Sequence, residues 1–291
     1  MVTLLFTMTT KNYLEILITS ALWGSSFLMM KIALDELTPF HISFYRIFIG
    51  MLFINLINRD RVKLSVEAHI RLSLVGLLWM ALPFYLFAKS EETISSSLAG
   101  LINGSTPIFI SLVAITVFKE KINARQGLYL FSGFVGIYLI SFGLNSIFVE
   151  LNFGALLALL ASFSYGFAVN IVQPVIKNIG GIKSLKITLR YGSLFSLILL
   201  ILNEPFIMPT LGNSLLPILL LGIGSSGIAF LSYYNLINDV GAIGASIAVY
   251  IVPIFSVIFG FVFLNEYSDL IQLVGIFIVI FSAFQFSKIK F

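Results

Sequence analysis

Residues 106–109 read Thr-Pro-Ile-Phe, and residues 252–255 read Val-Pro-Ile-Phe. The second stretch follows the first by 146 positions. At the same offset Gly76 matches Gly222, Phe84 matches Phe230, Ala99 matches Ala245, Glu120 matches Glu266 and Gln126 matches Gln272. Earlier in each half Trp23-Gly24 resembles Tyr165-Gly166, and Arg46 resembles Arg190 after a two-residue adjustment. Order and spacing are kept throughout. The chain therefore reads as two copies of one unit, residues 1–147 and 148–291.

The composition says what each unit is made of. Of 291 residues, 59% are hydrophobic and 10% charged, and the mean hydropathy is +1.05. A soluble domain is about 45–50% apolar and about 25% charged. So few polar residues do not cover a water-soluble globule of this size. The apolar runs are continuous, as in Ile198–Leu202 and Ile276–Phe281. That excludes a transmembrane β-barrel, whose strands alternate polar and apolar positions. Spans of about 20 apolar residues fall at 13–33, 39–57, 71–90, 94–118, 126–144, 152–172, 185–203, 214–236, 243–264 and 270–287. Charged or turn-forming stretches such as Asn58-Arg59-Asp60-Arg61 and Asn203-Glu204-Pro205 separate them. The expected fold is an all-α membrane protein of ten transmembrane helices in two five-helix repeats. Five is odd, so the second copy enters the membrane from the opposite side, and the repeats are inverted.

The charges orient this arrangement. With the N-terminus in the cytoplasm, 13 Lys and Arg residues fall inside and only Lys31 and Lys89 outside, while Arg46 and Arg190 lie within helices. This follows the positive-inside rule and places both termini in the cytoplasm, in the cell inner membrane. The first ten residues hold no Lys or Arg, so no cleaved signal peptide is expected. Without cysteine there are no thiolate metal sites or disulfides, and His41 and His69 lie 28 residues apart. No metal or cofactor is expected, and no nucleic-acid motif is present.

Inverted repeats let one half rock against the other around a central site, which is the architecture of secondary transporters. Polar groups inside apolar helices mark such a site because they are costly there. Asn103 and Pro107 lie four apart on one helix face, and the proline frees a carbonyl beside the amide. Pro253 repeats the kink, with Tyr250 three residues earlier. Trp23, Tyr85, Tyr165, Asn170, Tyr233 and Tyr234 complete the candidate substrate cavity, since aromatic rings pair an apolar face with a polar edge. The competing reading is packing, because 29 Phe and 11 Tyr must mostly face lipid or neighbours. Arg46 and Arg190 suit a gate or an anion contact; the plainer reading is snorkelling to the interface. Gly100, Gly104 and the Gly222–Gly227 stretch permit close helix contact. Glu15 alone among the carboxylates lies near a helix core. The others, Glu91 included, fall in or beside loops, so no buried carboxylate relay is expected. Facilitated exchange or uniport fits this, as does proton coupling through a less obvious group.

The stretch Ser20-Ala21-Leu22-Trp23-Gly24-Ser25-Ser26-Phe27 and the Pro107…Glu120 and Pro253…Glu266 segments resemble the EamA type of the drug/metabolite transporter superfamily. The likeness covers nearly the whole chain, with Tyr165 in place of tryptophan in the second half. It implies a ten-helix carrier of small metabolites, often an amino-acid or metabolite exporter, with a cavity between the halves; the expected carrier is a monomer or homodimer. Some relatives import instead, including carriers of S-adenosylmethionine.

A membrane enzyme is the alternative from another class. Gly224-Ser225-Ser226-Gly227 fits the short G-x-S-G pattern of intramembrane serine proteases. Such a serine needs a histidine base. His41 opens the second helix and His69 lies in a loop, so neither is suitably placed. The four aspartates are scattered, which disfavours magnesium-diphosphate chemistry. No filter-like loop suggests a channel.

Overall fold

A computed structural model describes residues 8–60, 64–119, 124–142, 153–210 and 212–288, and among these the regular structure is helical throughout. The helices are α1 (Thr10–Ala33), α2 (Pro39–Ile57), α3 (Val66–Ser90), α4 (Ser96–Thr116), α5 (Ala124–Phe142), α6 (Phe153–Ile179), α7 (Gly181–Asn203), α8 (Leu215–Gly241), α9 (Ile247–Leu264) and α10 (Leu270–Lys288). Eight are long and apolar enough to cross a membrane; the apolar stretches of α5 and α10, Gly127–Ile140 and Leu270–Ser282, are shorter. The sequence reading of α6 ended too early. The helix continues through Pro174 to Ile179.

The near end of the bundle is the one where α1 begins, and the far end is the one where it finishes. The packing of the helices follows a simple rule. Helix α1 lies along α8 and α9, while α6 lies along α3 and α4; α2 packs on α8, while α7 packs on α3. The remaining main pairs are α2 with α7, α4 with α9 and α5 with α10. Interchanging the first five helices with the last five reproduces every one of these pairs.

The repeated motifs explain the symmetry at the level of side chains. Gly24 of α1 lies against Phe255 of α9, and Gly166 of α6 lies against Phe109 of α4. The phenylalanine of each Pro-Ile-Phe motif thus seats on the glycine of the other half. Only a residue without Cβ lets these backbones approach so closely. A Cβ at Gly166 would stand 2.8 Å from the Phe109 carbonyl oxygen, which belongs to rigid helix backbone. Gly166→Val is therefore expected to destabilise the fold by about 1–3 kcal/mol or more. A thermal midpoint in detergent equal to that of the wild type would refute this packing.

Two helices are locally unwound to a wider turn, α3 at Gly76–Ala81 and α8 at Leu220–Ala229. Such π segments are uncommon and often occur at functional sites. They occupy equivalent places, since Gly76 and Gly222 are partners in the repeat. Gly76 sits against Gly192 of α7, and Gly222 sits against Ile49 of α2, close to Gly50. This contact also corrects a register. Gly192 is the counterpart of Gly50, so Arg46 corresponds to Thr188 and not to Arg190.

The proline motif breaks the helix in only one half. Helix α4 is broken at Gly104–Ser105 into Ser96–Asn103 and Thr106–Thr116, because Pro107 has no N–H to give the carbonyl of Asn103. Helix α9 keeps helical dihedrals through Pro253. A Cβ on Gly104 would lie 2.5 Å from the Pro253 ring, so α9 fits its proline into the break of α4. Glu120 of the repeated motif lies outside the described residues.

Candidate substrate cavity

Helix α1 places Trp23, Ser26, Phe27 and Met30 on one stripe, at spacings of three and four residues that share a helix face. This stripe borders a small internal cavity. Opposite it, α3 supplies Trp79 from its wide turn, then Phe84 and Phe87; α4 supplies Asn103 and Thr106 at its break. Tyr165 of α6 and Phe230 and Tyr233 of α8 close the ring, and Arg46 enters from α2. The volume is about 40 Å³. That admits water-sized occupants, not a metabolite. The bundle is caught closed, and an amino-acid-sized solute needs its walls to part.

Arg46 decides the chemistry. It is 2% exposed. Its Nε donates to Ser226 Oγ at 3.2 Å, Nη1 approaches Met30 Sδ at 3.3 Å, and the guanidinium carbon lies 3.7 Å from the Phe84 ring centre. Among the described residues it forms no salt bridge. A cation–π contact and two neutral contacts hold it, leaving a buried positive charge facing the cavity. Around it the rings are fixed edge to face. Trp23 packs 5.0 Å from Phe230 and 4.8 Å from Tyr233, and its Nε1 donates to the Ser225 carbonyl at 3.2 Å. Trp79 lies 5.4 Å from Phe230 and 5.8 Å from Tyr233.

Of the residues singled out from sequence, the structure brings Trp23, Asn103, Tyr165, Tyr233 and Arg46 together around this cavity. The rest lie elsewhere. Tyr85 stacks on Phe40 at 4.4 Å, away from the cavity. Asn170 bonds back to the Gly166 carbonyl at 2.8 Å and across to Ile110 of α4 at 3.2 Å, tying two helices. Tyr234 is fully buried, stacked on Trp79 at 5.5 Å. Tyr250 is buried, and its neighbour Val249 lines the cavity in its stead. Arg190 is exposed and donates to Asn55 Oδ1 at 2.7 Å, so it is a surface residue and touches neither cavity nor gate. Sequence reasoning passed over Trp79, Phe84, Phe230, Ser26 and Thr106. Phe84 and Phe230 carried a signal, as partners in the repeat; Trp79 carried none.

The serine motif takes part in this architecture too. Ser225 Oγ donates to the Leu22 carbonyl at 2.8 Å, and Ser226 receives Arg46. His41 meets Thr38 at 2.8 Å, and His69 meets the Tyr191 hydroxyl at 2.9 Å. Neither serine is bonded to an imidazole.

Both ends of the cavity are tied across the halves. At the near end Lys11 of α1 reaches Asp239 of α8 at 3.1 Å, and Asn12 reaches the same carboxylate at 3.2 Å. At the far end Tyr45 of α2 donates to the Ile207 carbonyl at 2.5 Å. Glu36 accepts from Thr210 at 2.7 Å and from Ser214 at 2.5 Å. Those two hydroxyls hold its carboxyl below the usual value against the small effect of burial. The strongest tie is Glu266, in the loop between α9 and α10. Its carboxylate accepts from Ser96 N and Oγ, both at 2.9 Å, and from Ser97 N at 2.8 Å and Oγ at 2.7 Å. A carboxylate from the second half thus caps the first turn of α4, where unpaired N–H groups and the helix dipole favour an anion. Burial acts to raise its pKa; the bonds from Ser97 and Ser96 outweigh that and hold it below the usual glutamate value.

A small internal cavity with one buried cation, set inside an apolar helical bundle, belongs to a polytopic membrane protein. The chain belongs to the EamA-like transporter family, whose model matches residues 10–142 and 152–287. Among curated relatives, it is 31% identical over 276 residues to the uncharacterized transporter YcxC of Bacillus subtilis (strain 168), covering 88% of this chain and 86% of that one. The uncharacterized transporter YdfC of the same organism is 26% identical, covering 87% and 83%. An uncharacterized transporter of Archaeoglobus fulgidus is 27% identical, covering 92% and 94%. A solved crystal structure shares the fold with a TM-score of 0.66 at 18% identity, over 95% of this chain and 96% of that one.

Proposed function

We propose that this protein is a secondary carrier of a small amphipathic carboxylate, an amino acid or its keto- or hydroxy-acid counterpart, working by alternating access. The observation that carries the reading is Arg46, a buried cation that forms no salt bridge among the described residues, set among aromatic rings. A substrate carboxylate would pair with the guanidinium, and an apolar side group would stack on Trp23, Trp79 and Phe230. Asn103 and Thr106 offer the remaining polar contacts. The lining holds no acidic side chain. A cationic solute such as S-adenosylmethionine would therefore meet Arg46 with no counter-charge, which favours the anionic reading.

In this reading all ten helices span the cell inner membrane as two inverted halves, 1–147 and 148–291, with both termini and the near end in the cytoplasm. The symmetric helix pairing and the 13 to 2 distribution of Lys and Arg support it. Efflux is the proposed direction, as in many relatives of this type, and the proposed role is transport and not catalysis.

Purified protein in liposomes loaded with unlabelled phenylalanine or phenylpyruvate is expected to take up the labelled compound by counterflow. Asn103→Leu, which removes one neutral hydrogen-bonding group, should weaken half-saturation roughly fivefold. Absence of counterflow with both compounds, in protein whose melting transition is intact, would overturn the reading.

A further inference from the structure

Glu91 follows the last turn of α3. Its position in a loop suggested an ordinary solvated carboxylate, and the structure overturns that. Glu91 has no exposed surface, and among the described residues neither carboxyl oxygen has a hydrogen-bond partner. Its neighbours are arranged around it, not on it. Lys31 of α1 bonds the backbone carbonyls of Glu91 and Ile94, the latter at 3.1 Å, and leaves the Glu91 carboxyl alone. Glu92 pairs with Lys89 at 2.5 Å. Glu266 is consumed by the α4 cap. Arg46 of α2 acts on Glu91 through space without a salt bridge, as does Lys31.

The position matters as much as the environment. Phe87 lines the central cavity, and Glu91 lies four residues on, on the same face of α3. Met30 lines the cavity and Leu34, four residues on, lines a wide mouth at the far end. That mouth, about 480 Å³, is bordered by Lys31, Asp35, Glu36, Glu91 and Glu92. Glu91 therefore sits in the septum between the outside mouth and the substrate cavity.

An ionised carboxylate buried without hydrogen bonds is strongly disfavoured, and such a group takes up a proton instead. We propose that Glu91 is the proton-binding site of this carrier: closing the far end buries the carboxyl, which takes up a proton arriving from the near side through the cavity, and opening wets it and releases that proton to the far-end mouth. Burial raises its pKa well above the usual value. The positive charges of Lys31 and Arg46 oppose this, and the negative charge of Glu266 adds to it. The sign of the linkage follows. The closed form, with the higher affinity for the proton, is favoured below the raised value. It loses that advantage as pH rises from the ordinary glutamate range through it. If Arg46 receives the substrate anion, as proposed above, the pairing cancels one of the two opposing charges and tightens the proton further. One proton would then accompany one anion.

The first test needs no substrate. Wild-type protein in lipid nanodiscs is titrated by infrared spectroscopy, following the C=O band of protonated carboxyl groups. A carboxyl that remains protonated above the ordinary glutamate range is expected; it should be missing from Glu91→Gln and retained in Glu266→Gln. Lys31→Gln, which leaves Glu91 in place and removes the larger opposing positive charge, should move the same titration upward. A wild-type protein without such a carboxyl, or a band unchanged in Glu91→Gln, overturns the proposal. In liposomes, an imposed pH gradient should drive phenylpyruvate accumulation by the wild type and not by Glu91→Gln, while counterflow in Glu91→Gln persists. Gradient-driven accumulation that survives in Glu91→Gln would also overturn it. Failure of the wild type to carry phenylpyruvate would count against the Arg46 reading alone, since the infrared band reports on Glu91 directly.

Discussion

Arg46→Met is expected to abolish carboxylate binding while leaving the protein as stable as before, or more so. The two effects have different origins. In the closed structure Arg46 is a buried cation held by Ser226, Met30 and the face of Phe84. Replacing a buried charge by an apolar side chain of similar length is often neutral or stabilising, because the desolvation cost disappears. The substrate loses its counter-charge by the same change. Truncating one member of a buried charge pair costs about 2–5 kcal/mol, which is about thirtyfold to a few thousandfold in dissociation constant. Titration of Trp23 and Trp79 fluorescence with phenylpyruvate, beside a thermal melt, measures both quantities on one sample. Unaltered affinity would remove the anion site. A large drop in melting temperature would make Arg46 a structural residue. Arg46→Lys should fall between, because an ammonium keeps the charge and loses the planar fork.

The second large effect concerns the far end. Glu266→Ala removes all four hydrogen bonds that join the α9–α10 loop to the first turn of α4. Loss of one helix cap typically costs about 1–2 kcal/mol. Here the cap also joins the two halves, so its loss should shift the population toward a form open at the far end. A cysteine introduced at Thr38, on the mouth wall, and labelled with a water-soluble maleimide should react several times faster in the variant. Equal rates would show that the cap stabilises α4 without gating. The pH dependence has a definite sign. The carboxyl is held below its usual pKa, so the tie is fully present above the ordinary glutamate range and is lost as pH falls through the lowered value. Glu91 responds in the opposite sense, losing its contribution to closure as pH rises. Closure of the far end is therefore expected to be best supported between the two titrations.

Glu266 could have been found from the sequence, since it stands in the repeated Pro-to-Glu spacing. Its partners could not, because Ser96 and Ser97 lie about 170 residues away and meet it only through the packing of α4 on α9. The same holds for the cavity. Trp23 and Asn103 were legible because a tryptophan-glycine pair and an amide near a proline stand out in apolar helices. Arg46 and Arg190 looked alike in sequence, both single arginines within long apolar stretches. One is 2% exposed in the cavity and the other lies on the surface beside Asn55. A shift of two positions on a helix turns a side chain by more than half a turn, and repeat arithmetic with a gap does not resolve that.

Composition and spacing by themselves determined that this is an all-helical membrane chain made of two related halves. Those properties depend on how many apolar residues occur and how far apart the punctuation falls, and both are linear quantities. The helix pairing, the break of α4 without a matching break in α9, and the choice between Arg46 and Arg190 were decided by tertiary structure. So was the state of Glu91. Position in a loop predicts exposure, yet folding laid that loop between two helix ends and left the carboxyl without exposed surface and, among the described residues, without a partner. Burial depends on what other segments bring to a residue, and no property of the residue or its neighbours in sequence records it.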